Sequence, residues 1–423
     1  MISVHGCPMV TPGMRFAGGM NVYLRDIAPA LAAKGICVDV FTRSHHAGGP
    51  EIFEIGPNAR VIHLPSGNPE LVKSEVVPYL AEYQERVLQF VEEEGLGYDL
   101  VHSHYWLSGS VGKAVANHWG LPSVVSFHTL AAVKEREGSE TEPDQRKIAE
   151  AEMAHDADLI FAFTDDERAE LNNLFGIADD RVHVAPGGVD LTLFHPIDKG
   201  EARDRLGFDR DEQIVLFVGR PEPFKGPDVL IRALPLMSDP QRTRLVLVGG
   251  SEGEHSFDWL RLLAADLGVA DRVSWHTAVP QEELVNFYAA ADLCAVPSFH
   301  ESFGLVALEA MACGRPVVAS AVGALSINVR EAETGCLVHS HEAIDFAHCI
   351  GNLLANPRLR ETMGAAGIEH AQTFTWLRAA EQALDGYRRA AQQFWRYKQT
   401  SPPAYNASSY QTDRQVSTNP RRS

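Results

Sequence analysis

Residues 301–320 read Glu301-Ser-Phe-Gly-Leu-Val-Ala-Leu-Glu309-Ala-Met-Ala-Cys-Gly-Arg-Pro-Val-Val-Ala-Ser320, and the fold is decided here. The run before it, Asp292-Leu-Cys-Ala-Val-Pro-Ser298, is a short apolar strand ending at Pro297, and from Gly304 onward the pattern turns helical. A strand, a turn and a helix N-terminus in that order aim unpaired backbone N–H groups and the positive end of a helix dipole at one point, which suits a diphosphate. Glu301 falls in the turn and Glu309 more than a helical turn inside, so the two carboxylates bracket the phosphates from different heights. A carboxylate accepting from vicinal hydroxyls suits a sugar at one end and a ribose at the other. The turn Gly314-Arg315-Pro316 and a second apolar strand complete a mononucleotide-binding βαβ unit. A capped helix with two solvated glutamates, the plainer alternative, does not account for that second strand.

Outward from this unit the pattern repeats. Strands are expected at Ile214 to Gly219, Thr243 to Gly249, Val273 to Trp275, Leu293 to Pro297 and Pro316 to Ala319, with helices between. Upstream lies a first series. Its strands are Ile2 to His5, Val38 to Thr42, Val61 to Leu64, Leu100 to Ser103, Ser123 to His128 and Leu159 to Phe163. Its helices run from about Gly19 to Lys34, Tyr79 to Glu94, Gly109 to His118 and Arg146 to His155. Such alternation predicts parallel, doubly wound α/β sheets. Gly and Pro in Pro186-Gly-Gly-Val-Asp-Leu-Thr-Leu-Phe-His-Pro196 mark an interdomain crossing. The expected organisation is a first Rossmann-like domain over 1–193, a second over 194–375, a helix over 376–398 and a disordered tail over 399–423. Two such halves facing each other leave a cleft at the carboxyl ends of both sheets. Ile2-Ser-Val-His5 opens inside its strand, which fits either a late start codon or a short native strand.

The 423 residues, 45% hydrophobic and 22% charged, are enough for two ordinary cores. The sequence has no long apolar run or secretory leader, so a cytoplasmic protein is expected. A net charge of −19 argues against nucleic acid or an anionic membrane as partner. Any anionic ligand must find a local basic pocket. Six scattered cysteines with no Cys-x-x-Cys pair point to buried free thiols rather than a zinc site or disulfide framework.

Such a basic pocket is offered by Arg220 and Lys225 in Phe217-Val-Gly-Arg-Pro-Glu-Pro-Phe-Lys225, just past a strand's carboxyl end. Two preorganised cations there stabilise the charge that grows on a departing nucleoside diphosphate. Near the N-terminus, Gly18 and Gly19 open a helix where backbone can approach a ligand, and Asn21 adds an amide. His102, His104 and His128 follow first-domain strands and face the same cleft, though a strand-end histidine is more often a hydrogen-bonded structural residue than a catalyst. Asp209-Arg-Asp211 matches a metal-holding pattern but sits in a charged loop, so no metal is expected. Val248-Gly-Gly-Ser-Glu-Gly253 has the wrong glycine spacing for a nicotinamide fingerprint.

Together these residues resemble, over nearly the whole chain, the retaining glycosyltransferases of group 1 with the GT-B fold, two facing Rossmann-like domains with a C-terminal crossover helix. The resemblance implies a UDP-sugar donor, no cofactor and no metal. It assigns the donor site to Gly19, Arg220, Lys225, Glu301, Phe303, Gly304, Leu305 and Glu309, and the catalytic set to Arg220, Lys225, Glu301 and His128. Gly18-Gly-Met-Asn-Val-Tyr23, His102-Ser-His-Tyr-Trp-Leu-Ser-Gly109 and His128-Thr-Leu-Ala-Ala-Val-Lys134 are similar to the branch that moves N-acetylglucosamine to an inositol phosphate. That likeness implies acceptor contacts from Asn21, Lys73, Tyr105, Thr129 and Arg146. Small-molecule partners follow from it, with room for a homodimer. Arg15, before the glycines, and Ala324 and Ser326, after the Glu301 to Glu309 helix, depart from the family's usual residues and bear on sugar and acceptor identity.

Three alternatives stay open at this stage. One is a sucrose-phosphate-synthase-like transferase, and another a non-catalytic sugar-nucleotide-binding protein. The third is a membrane-surface transferase using Arg388, Arg389, Arg396 and Lys398 beside Phe394 and Trp395, whose plainer explanation is a helix packed back on the first domain.

Overall fold

The computed structural model describes residues 1–10, 17–45, 48–137, 141–237, 242–251 and 255–400. Arg15, Glu252, Gly253 and the tail beyond Thr400 lie outside them.

Among the described residues the first half holds seven strands: β1 (Val38–Arg43), β2 (Glu51–Gly56), β3 (Ala59–Leu64), β4 (Val101–His104), β5 (Ser123–Ser126), β6 (Leu159–Ala162) and β7 (Val182–Val184). They pair in the orders β1-β3-β2 and β4-β5-β6-β7. Where a strand was expected from Ile2 to His5, only Ile2 bridges, to Phe41 on one side and Ser103 on the other, stitching the two groups together. Three strands escaped the sequence reading. β2 lacks a buried face, so its pattern carries no core signal, and it pairs antiparallel to β3. β7 is three residues long, and the strand Gly335–Val338 of the second half is an edge strand.

The second half is one parallel six-stranded sheet of β8 (Gln213–Val218), β9 (Thr243–Val248), β10 (Val273–His276), β11 (Leu293–Val296), β12 (Val317–Ser320) and β13 (Gly335–Val338). Its order is β10-β9-β8-β11-β12-β13. The order reverses between β8 and β11, the switch point at which such sheets open a crevice. β8 and β11 are apolar and almost fully buried because helices cover both faces.

The last helix, Trp376–Thr400, returns to the first half. A Cβ on Gly386 would meet Phe161 at 2.5 Å, Tyr387 bonds His102, and Lys398 donates to the Gly120 carbonyl at 3.1 Å. The helix is therefore docked against protein, as its plainer explanation expects, with Trp395 left 48% exposed. Among the cysteines, Cys7, Cys294 and Cys313 are buried and free, whereas Cys37 is exposed and Cys336 is paired with Cys349. This corrects the expectation of buried free thiols throughout, since β13 and the helix Ala343–Ala355 bring together cysteines thirteen positions apart.

Candidate active site

A cavity of about 510 Å³ lies between the carboxyl ends of the two sheets, within the range of small-molecule sites. One wall comes from the second half. After β8 the chain turns through Arg220 to Lys225, and Gly226 (φ +68°) lets this loop lie against the Pro297 carbonyl, where a Cβ would sit only 2.3 Å away. The bond from Phe299 N–H to the Phe224 carbonyl (3.0 Å) fastens it to the turn after β11. Lys225 Nζ consequently donates to Glu301 Oε2 at 2.6 Å. Arg220 pairs with Glu222 (2.8 Å) and is 41% exposed, so its guanidinium is open to a ligand. Gly304 (φ +77°) caps the helix Leu305–Ala312, which turns the first free N–H groups toward the cavity.

Glu309 is buried on that helix. It accepts from the Tyr288 hydroxyl (2.7 Å) and, more weakly, from Gln281 Nε2 (3.4 Å). Burial pushes its carboxyl up to about 7, against the pull of Tyr288 and Arg25. Arg25 reaches across from the first half to Gln281 Oε1 at 2.5 Å. Sequence reading missed Tyr288, Gln281 and Arg25 because all three sit on helices where they read as ordinary core or surface positions.

The opposite wall comes from the first half. Tyr105 and His128, immediately after β4 and just beyond β5, both adopt positive φ (+73° and +62°) although neither is glycine, the kind of strained backbone that clusters at functional sites. Lys73 donates to the Tyr105 hydroxyl at 2.6 Å, and burial lowers its ammonium to about 8. Arg146 is 1% exposed and sits behind the cavity rather than on it: it donates to Thr129 Oγ1 (3.0 Å), Glu142 (2.8 Å) and Glu150 (2.6 Å), with its guanidinium 4.9 Å from the Tyr105 ring centre. Asn21 lines the cavity, but its Oδ1 accepts from Gly18 N–H (3.0 Å) and its Nδ2 donates to the Cys7 carbonyl (2.8 Å). It fixes the glycine turn, and Gly19 packs toward Leu305 across the cleft.

His128 lines the cavity with Tyr23 and Phe163 at its ring, and its carbonyl accepts from Ser302 of the facing half. Burial drops its imidazole to about 3, so it is neutral at physiological pH. The structure thus gathers Gly19, Asn21, Lys73, Tyr105, His128, Thr129, Arg220, Lys225, Glu301, Phe303, Gly304, Leu305 and Glu309 around one cavity, with Arg146 one layer back. No cluster of potential metal ligands occurs among the described residues. Asp209 and Asp211 are exposed, with Asp209 Oδ1 accepting from Asp211 N–H.

Residues 198–370 match the glycosyl transferases group 1 model, and residues 18–188 match the glycosyl transferase 4-like domain model. The D-inositol 3-phosphate glycosyltransferase of Acidothermus cellulolyticus is 44% identical over 92% of this chain and 90% of its own length. The chain belongs to the group 1 glycosyltransferases. The D-inositol 3-phosphate glycosyltransferase of Thermobifida fusca is 43% identical over 93% of both chains. Among solved structures, a sucrose-phosphate synthase from Thermosynechococcus elongatus superposes with a TM-score of 0.85, at 36% identity, over 92% of this chain and 97% of that one. Anabaena HepE, solved with UDP and glucose, is 22% identical and superposes with a TM-score of 0.71 over 91% of this chain and 97% of its own. It shares the GT-B fold. This chain is therefore a glycosyltransferase with that fold, and the cavity between its two Rossmann-like halves is the candidate active site.

Proposed function

We propose that this enzyme transfers N-acetylglucosamine from a UDP-sugar to a phosphorylated polyol, 1D-myo-inositol 3-phosphate, with retention at the anomeric carbon. The observation that carries the reading is the division of the cavity. Arg220 and Lys225 stand with Glu301 and Glu309 on one wall, and Lys73 with Tyr105 and Thr129 on the other. The first wall fits a sugar diphosphate, and the second fits a phosphate monoester on an acceptor. The names of the relatives support the acceptor. We assign Arg220 and Lys225 to the diphosphate, Glu301 to the sugar hydroxyls and Glu309 to the ribose. Gly19 and the backbone of Phe303, Gly304 and Leu305 approach the donor, and Asn21 and Arg146 support the acceptor side by holding Gly18 and Thr129.

In this reading the acceptor hydroxyl attacks from the face the diphosphate leaves. The departing phosphate oxygen takes the acceptor's proton as the carbon–oxygen bond breaks. Lys225 and Arg220 stabilise the charge that builds on the leaving group. His128, neutral beside the sugar, orients it rather than exchanging protons. We place the domain limits near residues 193 and 375, where the chain crosses between halves.

Mass spectrometry of purified protein with UDP-N-acetylglucosamine and inositol phosphate is the test, with a glycosylated inositol phosphate as the expected product. No product there, but turnover of UDP-glucose with a hexose phosphate, would replace this reading with a second one. The 36% identity to a sucrose-phosphate synthase, below the 44% to a D-inositol 3-phosphate glycosyltransferase, is what keeps that second reading in the test.

A further inference from the structure

Behind His128 lies a second histidine that the catalytic reading does not use. His104, the last residue of β4, is fully buried, and its Nδ1 stands 3.0 Å from His128 Nε2. Its own Nε2 is buried with no partner among the described residues. Burial holds both imidazoles well below their ordinary values, so each carries one proton and the bond between them has only two arrangements.

In the first, His128 Nε2–H donates to His104 Nδ1. The proton of His104 must then sit on Nε2, leaving an N–H donor buried without an acceptor, the rarer and costlier kind of orphan. In the second, His104 carries its proton on Nδ1 and donates it to His128 Nε2. The orphan is then a lone pair. His128 must in turn carry its proton on Nδ1, the nitrogen with no hydrogen bond among the described residues, on a side chain that lines the cavity.

His104 cannot swing away to a better partner. Its ring packs against His102, tilted by 36° with centroids 4.0 Å apart, and His102 is itself held at both nitrogens, by the Tyr387 hydroxyl (2.8 Å) and Ser126 Oγ (3.0 Å). Tyr387 lies on the C-terminal helix, which thereby braces the ladder from outside.

We propose that His104 is a positioning residue that holds His128 as its Nδ1–H tautomer, so that the cavity is offered a hydrogen-bond donor at that point and not an acceptor. A donor suits an electronegative oxygen, whether on the transferred sugar or on the bond to the diphosphate, and excludes a ligand group that can only donate. The tautomer follows from the protein alone; what the donor touches rests on the sugar-nucleotide reading.

The experiment has two arms. In the first, ¹⁵N spectra of imidazole-labelled full-length protein, assigned with His128→Gln, report which nitrogen of His128 is protonated. A protonated Nδ1 is expected, and a protonated Nε2 in the wild type overturns the proposal. In the second, His104→Leu removes the donor, whereas the Nδ2 of His104→Asn can replace it. The Leu variant should shift His128 toward Nε2–H and lower kcat about tenfold to a hundredfold, with acceptor KM little changed, and the Asn variant should restore both signals. An unshifted tautomer in the Leu variant overturns the positioning role, and if that variant does not fold, the wild-type spectrum and the Asn variant still decide. A protonated Nδ1 in a protein that turns over no UDP-sugar sustains the tautomer and overturns the functional reading instead.

Discussion

Replacing Glu309 by Gln should make this enzyme more stable and less able to bind its donor, and the two effects can be separated by pH. Glu309 is 4% exposed, and burial moves its carboxyl from 4.5 to about 7. A carboxyl raised in the folded state favours the protonated form. Its contribution is therefore fully present below pH 4.5 and is lost as pH rises through about 7. At roughly 1.4 kcal/mol for each tenfold, the loss reaches about 3 kcal/mol at pH 8 but only about 1 kcal/mol at pH 5. Gln at 309 is neutral at both pH values and keeps an oxygen for the Tyr288 hydroxyl. Urea unfolding should accordingly show the variant gaining about 2 kcal/mol more over wild type at pH 8 than at pH 5. Comparing the two proteins at each pH cancels Glu167, a second buried carboxyl pushed up to about 7. UDP titration by calorimetry at pH 8 should show binding weakened by about tenfold to a hundredfold, the worth of a charge-assisted bond to a ribose hydroxyl. A stability difference that does not change with pH would refute the burial argument. Unchanged UDP affinity would refute the ribose assignment.

Lys225→Ala should lower kcat/KM by about 10²- to 10³-fold while shifting stability by less than about 1 kcal/mol, because its pair with Glu301 is partly exposed (27% and 19%); steady-state kinetics beside thermal unfolding checks both, and a stability loss with full activity would reassign the lysine. Gly304→Ala places a Cβ at φ +77°, 3.0 Å from Asn328 Nδ2, so about 1–2 kcal/mol of stability and much of the donor affinity should go, read by unfolding and by donor KM. With Lys73 lowered by burial to about 8, acceptor KM should rise as pH climbs through that value and the ammonium loses its charge. Lys73→Gln should have a high KM that is flat across that range, and a wild-type KM that is flat as well would remove Lys73 from the phosphate site.

How much of this was legible in the sequence depends on whether the signal was local. The βαβ unit from Asp292 to Ser320 was readable because a buried parallel strand is a continuous apolar run and its helix starts at a glycine. β2 was not, since a strand exposed on both faces has no hydrophobic period to detect. Glu301 and Lys225 could be placed in one site because each follows a strand's carboxyl end, and the strand order brings those ends together. Tyr288 and Gln281 hold Glu309 from a helix over twenty residues earlier, and nothing in their surroundings sets them apart from core positions. The two roles of Asn21 and Arg146, holding backbone and neighbouring side chains, were equally invisible: a list of polar residues near a cleft does not say which have already spent their hydrogen bonds.

The contacts across the cleft combine a shared apolar cluster, in which Phe163 meets Phe303, with a few polar links. The chain crosses between them twice, before residue 198 and near residue 375, and the crossings lie side by side, with Val189 N–H donating to the Phe374 carbonyl at 2.8 Å. Paired crossings of this kind concentrate backbone adjustment at one edge. Away from that edge, polar links among the described residues include Ser302 to the His128 carbonyl and Arg25 to Gln281, each worth on the order of 1 kcal/mol. Both end on groups that position the proposed donor, His128 on one wall and the Gln281 that supports Glu309 on the other. Opening the cleft would break both bonds, part Phe163 from Phe303, and loosen both walls together. Donor binding, by ordering Glu309 and His128, would in turn favour the closed arrangement in which water is kept from the sugar before the acceptor arrives.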